Sequence, residues 1–334
     1  MSFGLSFWFS LLAVAGLILL AYIGVGAAHL NYLFGVIIPY AAIAVFVIGI
    51  IYRVLQWAAR PVPFRIPTTA GQQKSLPWIK QNKIDNPSSA LGVIVRMAFE
   101  VLLFRSLFRN TRSELTGGTK LSYASAKWLW IAGLAFHWTF LIILVRHLRL
   151  FLEPVPSSIK IVESLDSFFQ VGAPLLYLTD IIFLLAVTYL LFRRLFIPIL
   201  RYIWLPADYF PLFLIIGIGA TGVLTRYFFK VNVVGVKELT MGLVTLSPKI
   251  PEGIGVLFYI HLFLVSILFT YFPFSKLMHM AGVFLSPTRN LANNNRMEMH
   301  VNPWNYPVKV HTYDEYEEHY RKFMKDAGLP VEKE

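Results

Sequence analysis

The sequence predicts an all-α polytopic membrane protein with six transmembrane helices. Three observations carry this. Hydrophobic residues make up 57% of the 334 residues and charged residues only 14%, against roughly 45–50% and about 25% in a soluble domain. Mean hydropathy is +0.61. No Asp, Glu, Lys or Arg precedes Arg53, and apolar runs of that length are bilayer spans of roughly 20 residues each.

The six spans are expected at 5–28, 32–53, 127–150, 168–193, 207–229 and 253–280. The first two are joined only by His29 to Tyr32, which implies a tight helical hairpin. Pro39 sits near the start of span 2, where a missing N–H costs least. The N-terminus lacks the positive charge of a cleavable leader, and a second span follows the first, so it is expected to be retained. A long polar segment, 54–126, opens with the Pro-rich stretch Arg60 to Pro67. Within it, residues 90–109 read as one amphipathic helix, with Val93, Met97, Val101, Phe104 and Phe108 at helical spacing. Arg96, Arg105 and Arg109 would suit anionic headgroups, or the helix packs on a soluble partner. The polar tail from 286 ends in a charged helix, Tyr313 to Lys325. Four regions follow: a hairpin (1–53), a cytoplasmic loop with the amphipathic helix (54–126), a four-helix core (127–285) and a partner-docking tail (286–334).

Lys and Arg set the orientation. Counting all 30, twenty-three fall in 53–127, the loop between spans 4 and 5, and the region from Lys276 onward; seven fall in the remaining loops. Both termini are therefore expected in the cytoplasm of a multi-pass cell-membrane protein. The net charge of +12 reflects this bias and gives no reason to invoke nucleic acid. The absence of cysteine removes disulfides, thiolate iron–sulfur clusters and covalent c-type haem from the chain.

Four histidines carry the chemistry. His137 and His147 are on span 3, His261 and His279 on span 6. A lone membrane histidine can be a helix–helix hydrogen-bond partner, but two on each of two helices is a more specific pattern. Ten residues place His137 and His147 about 15 Å apart, and eighteen place His261 and His279 about 27 Å apart on a straight helix. Eighteen residues at about 100° each is five turns, so the latter pair would share a face. Spans 3 and 6 run antiparallel, which matches His147 with His261 near the outer surface and His137 with His279 nearer the cytoplasm. Zinc takes about four converging ligands; two ligands on opposite sides of a flat macrocycle suit haem. Two bis-histidine irons stacked across the membrane are what this arrangement can hold, though the unequal spacings demand tilt. Gly133, one turn before His137, could admit a porphyrin or serve helix packing.

The spacing His137-x9-His147 and His261-x17-His279 resembles the di-haem cytochrome b family of the respiratory nitrate reductase gamma subunit, over roughly 125–282. The resemblance implies an inner haem b on His137 and His279, an outer haem b on His147 and His261, a quinol site beside the outer haem, and a cytoplasmic iron–sulfur subunit. The extra N-terminal span, the insert at 54–126 and the tail from Met297 to Val310 look more like the DsrM (HmeC-type) branch of the DsrMKJOP complex of sulfate reduction. That implies a heterodisulfide-reductase-like iron–sulfur partner (HdrD/DsrK type), menaquinone as substrate, and possible extracytoplasmic cytochrome c subunits.

Other residues have two readings each. Asp180, the one carboxylate within span 4, could relay quinol protons or bond a neighbouring helix. Arg146 and Arg149 flank His147 and could bind haem propionates or a quinone carbonyl, or snorkel to the interface. Gly217-x-Gly219-x-x-Gly222 mimics a dinucleotide fingerprint, but within a span it serves helix packing or room for a haem face. His29 reads as structural; His300, His311 and His319 read as solvated. The alternative function is a proton-coupled secondary transporter using Asp180, against which the chain has no repeated halves.

Overall fold

The computed structural model describes residues 3–60, 71–118, 120–167, 175–202, 205–298 and 310–333. Helix α1 (Phe3–Gly26) carries no charge and ends at a turn where His29 adopts φ +52°. The chain re-enters through a π-helical turn, Leu33–Ile37, into α2 (Ile38–Ala58), with Pro39 at the helix start. Gly24 makes the tight turn possible, because a Cβ there would collide with the Phe34 ring.

The amphipathic segment is two helices, not one: α3 (Ala90–Leu103) and α4 (Arg105–Phe108). The break is Phe104, at φ +50° and ψ +46°. Its arginines have partners within the protein, though Arg109 keeps 46% of its side chain exposed. Arg96 is buried, Arg105 Nε lies 2.8 Å from Asp85 Oδ1, and Arg109 pairs with the same carboxylate. Asp85 thereby ties the polar loop to α4. An unexpected antiparallel hairpin follows, β1 (Thr111–Thr116) with β2 (Lys120–Ser125), paired from Thr111 opposite Ser125 to Thr116 opposite Lys120. The loop between α2 and α3 is also sewn to the tail: Asn293 Nδ2 donates to Asn86 Oδ1 at 2.7 Å, and Asn293 N to Pro87 O at 2.7 Å.

Then come α5 (Lys127–His147), α6 (Ser157–Asp166), α7 (Leu178–Phe196), α8 (Pro198–Tyr202), α9 (Pro206–Val223), α10 (Val233–Val244) and α11 (Val256–Tyr271). The sequence places span 4 at 168–193; the helix begins at Leu178, and 168–174 lie outside the described residues. Span 6 is not one helix. α11 stops at Tyr271, Pro273 follows in a 3-10 turn, and Ser275 is extended (φ −118°, ψ 176°). His279 opens a separate helix, α12 (His279–Leu285). The straight-helix rise and the shared face inferred for His261 and His279 therefore do not hold. Short α13 (Pro287–Asn290) and the terminal α14 (Tyr313–Asp326) complete the chain.

Five helical stretches among the described residues are long and apolar enough to cross a membrane: Gly4–Gly26, Leu33–Ala58, Lys127–Leu150, Pro206–Phe228 and Val256–Phe274. Helix α7 carries Asp180 in its first turn and Arg193 and Arg194 in its last. The bundle runs α5 against α7, α7 against α9, α9 against α11, with α1 laid on α9 and α11 and α2 on α11. The glycines of α9 serve this packing: a Cβ on Gly217 would stand 3.4 Å from Leu264, and one on Gly219 2.7 Å from Phe183. The core includes Phe34, Val187, Leu214, Leu239, Tyr259 and Leu264. Helices α5 and α11 carry three of the four histidines, and α7 and α9 pack in sequence between them.

Candidate functional site

The histidines meet across the space between α5 and the α11–α12 segment. The rings of His137 and His279 have centroids 6.0 Å apart at an interplanar angle of 80°. Those of His147 and His261 are 6.3 Å apart and nearly parallel, at 17°.

Each ring is held the same way. Nδ1 of His137 donates to Gly133 O at 2.7 Å, and that of His147 to Ile143 O at 2.7 Å. Nδ1 of His279 donates to Lys276 O at 2.8 Å. Nδ1 of His261 donates to Ile218 O at 3.1 Å and faces Thr221 Oγ1 at 3.0 Å. A carbonyl can only accept, so Nδ1 carries the proton in all four rings. Nε2 is left with the free lone pair, the arrangement that orients a metal-binding imidazole. Two imidazole nitrogens about 2 Å from one metal put ring centroids about 6.4 Å apart. The observed separations of 6.0 and 6.3 Å are close to that value. Gly133 supplies its carbonyl, and a Cβ there would meet Leu107 at an ordinary 3.6 Å.

The surroundings of the pairs differ. Phe104 and Phe136 each stand edge-on to His137 with centroids 4.9 Å away. The left-handed turn between α3 and α4 is what presents Phe104 there. His261 instead sits over a glycine, since a Cβ on Gly222 would lie 3.3 Å from its Cε1.

Beside His147 lies a buried polar cluster. Arg146 Nη2 contacts Asp180 Oδ1 at 2.5 Å, and Arg146 Nε lies 2.9 Å from Asp166 Oδ2. Thr179 donates its N–H and hydroxyl to Asp166 at 3.0 and 2.6 Å. Tyr227 donates its hydroxyl to Asp180 Oδ2 at 2.8 Å. Two cations lie against the Tyr177 ring, with Arg146 3.7 Å and Arg226 4.2 Å from its centroid. Two arginines and two carboxylates leave the cluster formally neutral, which is how buried charges become tolerable.

A family model for the nitrate reductase gamma subunit matches residues 92–295. The chain belongs to the nitrate reductase gamma subunit family. Two relatives, from Archaeoglobus fulgidus and Archaeoglobus profundus, are each described as an "Hdr-like menaquinol oxidoreductase cytochrome b-like subunit". The first is 44% identical over 279 residues, covering 81% of this chain and 83% of that protein. The second is 44% identical over 274 residues, covering 80% and 81%. The gamma-subunit match takes in all four histidines, and it begins inside α3, so part of the apparent insert belongs to the family region.

Within this gamma-subunit chain the two flanking arginines part company. Arg146 is enclosed by carboxylates, whereas Arg149 reaches outward to Glu163 at 3.0 Å. Asp180 is not deep in a span; it lies in the first turn of α7 and is already paired. Sequence reasoning missed Asp166, Thr179, Tyr177 and Tyr227, because no fixed spacing links them. Arg226, a charge one turn beyond Gly222, was the available signal. Of the remaining histidines, His29, His311 and His319 are exposed, and His300 lies outside the described residues.

Proposed function

We propose that this chain is a membrane di-haem cytochrome b subunit. It exchanges electrons between the menaquinone pool at the outer side and a cytoplasmic heterodisulfide-reductase-like iron–sulfur subunit, within a respiratory or sulfur-metabolism complex. The observation that carries the reading is that two histidine pairs share one tautomer, set by four backbone carbonyls, and have ring centroids 6.0 and 6.3 Å apart. His137 and His279 would hold the inner haem b, His147 and His261 the outer one. Each haem, when bound, supplies a one-electron iron centre. The protein supplies the rest: the carbonyls fix each ring, and the apolar rings of Phe104 and Phe136 stand against His137 and lower the local dielectric. The names of the two relatives support menaquinol as the electron donor.

Helix α7 would be the sixth span. Its 19 residues give about 28 Å, close to the roughly 30 Å of hydrocarbon, and its charges sit only in the end turns. The reading places both termini in the cytoplasm. Residues 1–53 form a supporting hairpin, 127–285 the haem core, and 54–126 with 286–334 the partner-facing side. In the outer cluster, Asp180 Oδ2 is positioned to exchange a proton with the Tyr227 hydroxyl, a route by which quinol protons could leave. Arg146 would hold Asp180 in place, and Arg149 the neighbouring α6.

A reduced-minus-oxidised spectrum with a pyridine haemochrome assay tests the reading. Two b-type haems per chain are expected. His137→Ala and His279→Ala should each remove one haem, and His147→Ala and His261→Ala the other. One haem in the unaltered chain would break the four-ligand assignment, and none in haem-replete material would overturn it.

A further inference from the structure

Helix α3 is built inside out for a helix in water. At about 100° per residue, Leu91, Ile94, Val95, Ala98 and Leu102 fall within an arc of about 100°, and Arg96 and Glu100 lie on the opposite side. The apolar side is the exposed one: Leu91 is 70% exposed, Ile94 65% and Leu102 48%. The charged side faces the protein. Arg96 is 7% exposed, and Glu100 is held by Arg289 Nε at 3.3 Å and by the Ser106 N–H at 3.1 Å. A helix that meets water on its outer face shows the reverse pattern.

The C-terminal end of α3 lies against a span. Trp138 Nε1 donates to Leu102 O at 3.0 Å, and Trp130 Nε1 donates to Leu103 O at 2.7 Å. The last carbonyls of a helix have no partner within it and normally take water. Here they take indole N–H groups, the substitution demanded where water is scarce. Trp138 is eleven residues into α5, about 16 Å from its start. The exposed apolar surface then continues along α5 through Leu141 and Leu144, at 47% and 49%. Surface continuity with a span and indole-capped carbonyls both point to acyl chains rather than to a soluble partner.

We propose that α3 is a membrane-embedded, non-spanning helix whose Leu91, Ile94, Ala98 and Leu102 face lies in the lipid acyl chains of one leaflet. At 14 residues it is about 21 Å long, too short to cross. Lipid on its outer face presses its charged face onto α13 and holds the α3–α4 turn, with Phe104, against His137. The proposal does not depend on whether His137 holds a haem.

The chain contains no cysteine, which makes single-site labelling clean. Leu91→Cys, Ile94→Cys and Leu102→Cys, made singly in the full-length chain, would be spin-labelled in liposomes. Their collision rates with oxygen and with a water-soluble nickel chelate would be compared with a lipid reference, Leu141→Cys, and an aqueous one, Lys322→Cys. All three should follow the lipid reference, with the nickel chelate several-fold less effective than at position 322. Nickel accessibility equal to that at position 322 would overturn the proposal. Shielding from both reagents would overturn it too, in favour of a protein cover. A control without substitutions is photolabelling of the unaltered chain by a phospholipid with a diazirine in its acyl chain. Adducts in 90–103 alongside those in α5 are expected; adducts in α5 alone would overturn the proposal.

Discussion

A Cβ built on Gly222 would stand 3.3 Å from Cε1 of His261. The glycine of α9 is thus the floor on which one ring of the outer pair rests, and its lack of a side chain fixes how near α9 can come. Gly222→Val puts two further methyl groups into that space, and overpacking of this kind costs typically about 1–3 kcal/mol. The expected outcome is loss of the haem assigned to His147 and His261 with retention of the other, read as half the haem per chain in a haemochrome assay.

Thr221 tunes the same ring without filling space. Its hydroxyl donates to Gly217 O at 2.8 Å, so its lone pair is free to accept from His261 Nδ1 at 3.0 Å. Acceptors on the far nitrogen make an imidazole a more basic ligand. Thr221→Val removes one of two acceptors, and a hydrogen bond of about 1 kcal/mol corresponds to about 40 mV for one electron. The midpoint potential of one haem should rise by an amount of that order while both haems stay bound, as measured by redox titration.

The Arg146 cluster makes a stability prediction. Arg146 is 7% exposed between Asp166 and Asp180. Removing one partner of a buried ion pair costs about 3–5 kcal/mol, because the other charge stays buried. Arg146→Ala should lower the thermal midpoint in detergent sharply. Asp166→Asn added to it should cost less than the sum of the two single changes, since the residues share one network.

The tail carries an acid-sensitive latch. Glu317 is buried and accepts the backbone N–H groups of Glu332 at 2.8 Å and Lys333 at 3.0 Å. The Glu332 N–H first, then that of Lys333 and the Arg321 guanidinium, hold its carboxyl below the ordinary 4.5. A depressed folded value means the latch contributes fully above pH 4.5 and is lost as pH falls through the lower, folded value. Hydrogen exchange at 327–333 should accelerate on acidification below pH 4.5. In Glu317→Gln that pH dependence should vanish.

The apolar runs alone determined the helical membrane class and the five long spans, because a segment in lipid must satisfy its backbone internally and the chain records that demand in about 20 residues at a time. The antiparallel sense of spans 3 and 6 likewise matched His147 with His261 and His137 with His279, the same rings that the structure brings to 6.3 and 6.0 Å. Pro273 carried a local signal for the break after α11, yet the apolar run continues past it and hides where the helix ends. Only the tertiary structure decided the rest. The Phe104 turn against His137, the inward charged face of α3 on Arg289 and the enclosure of Arg146 by Asp166, Asp180 and Tyr177 are relations between residues 20 to 189 apart in the chain, and no local periodicity encodes which segments will meet. Residue type fixed what each could do; packing fixed which partner each obtained.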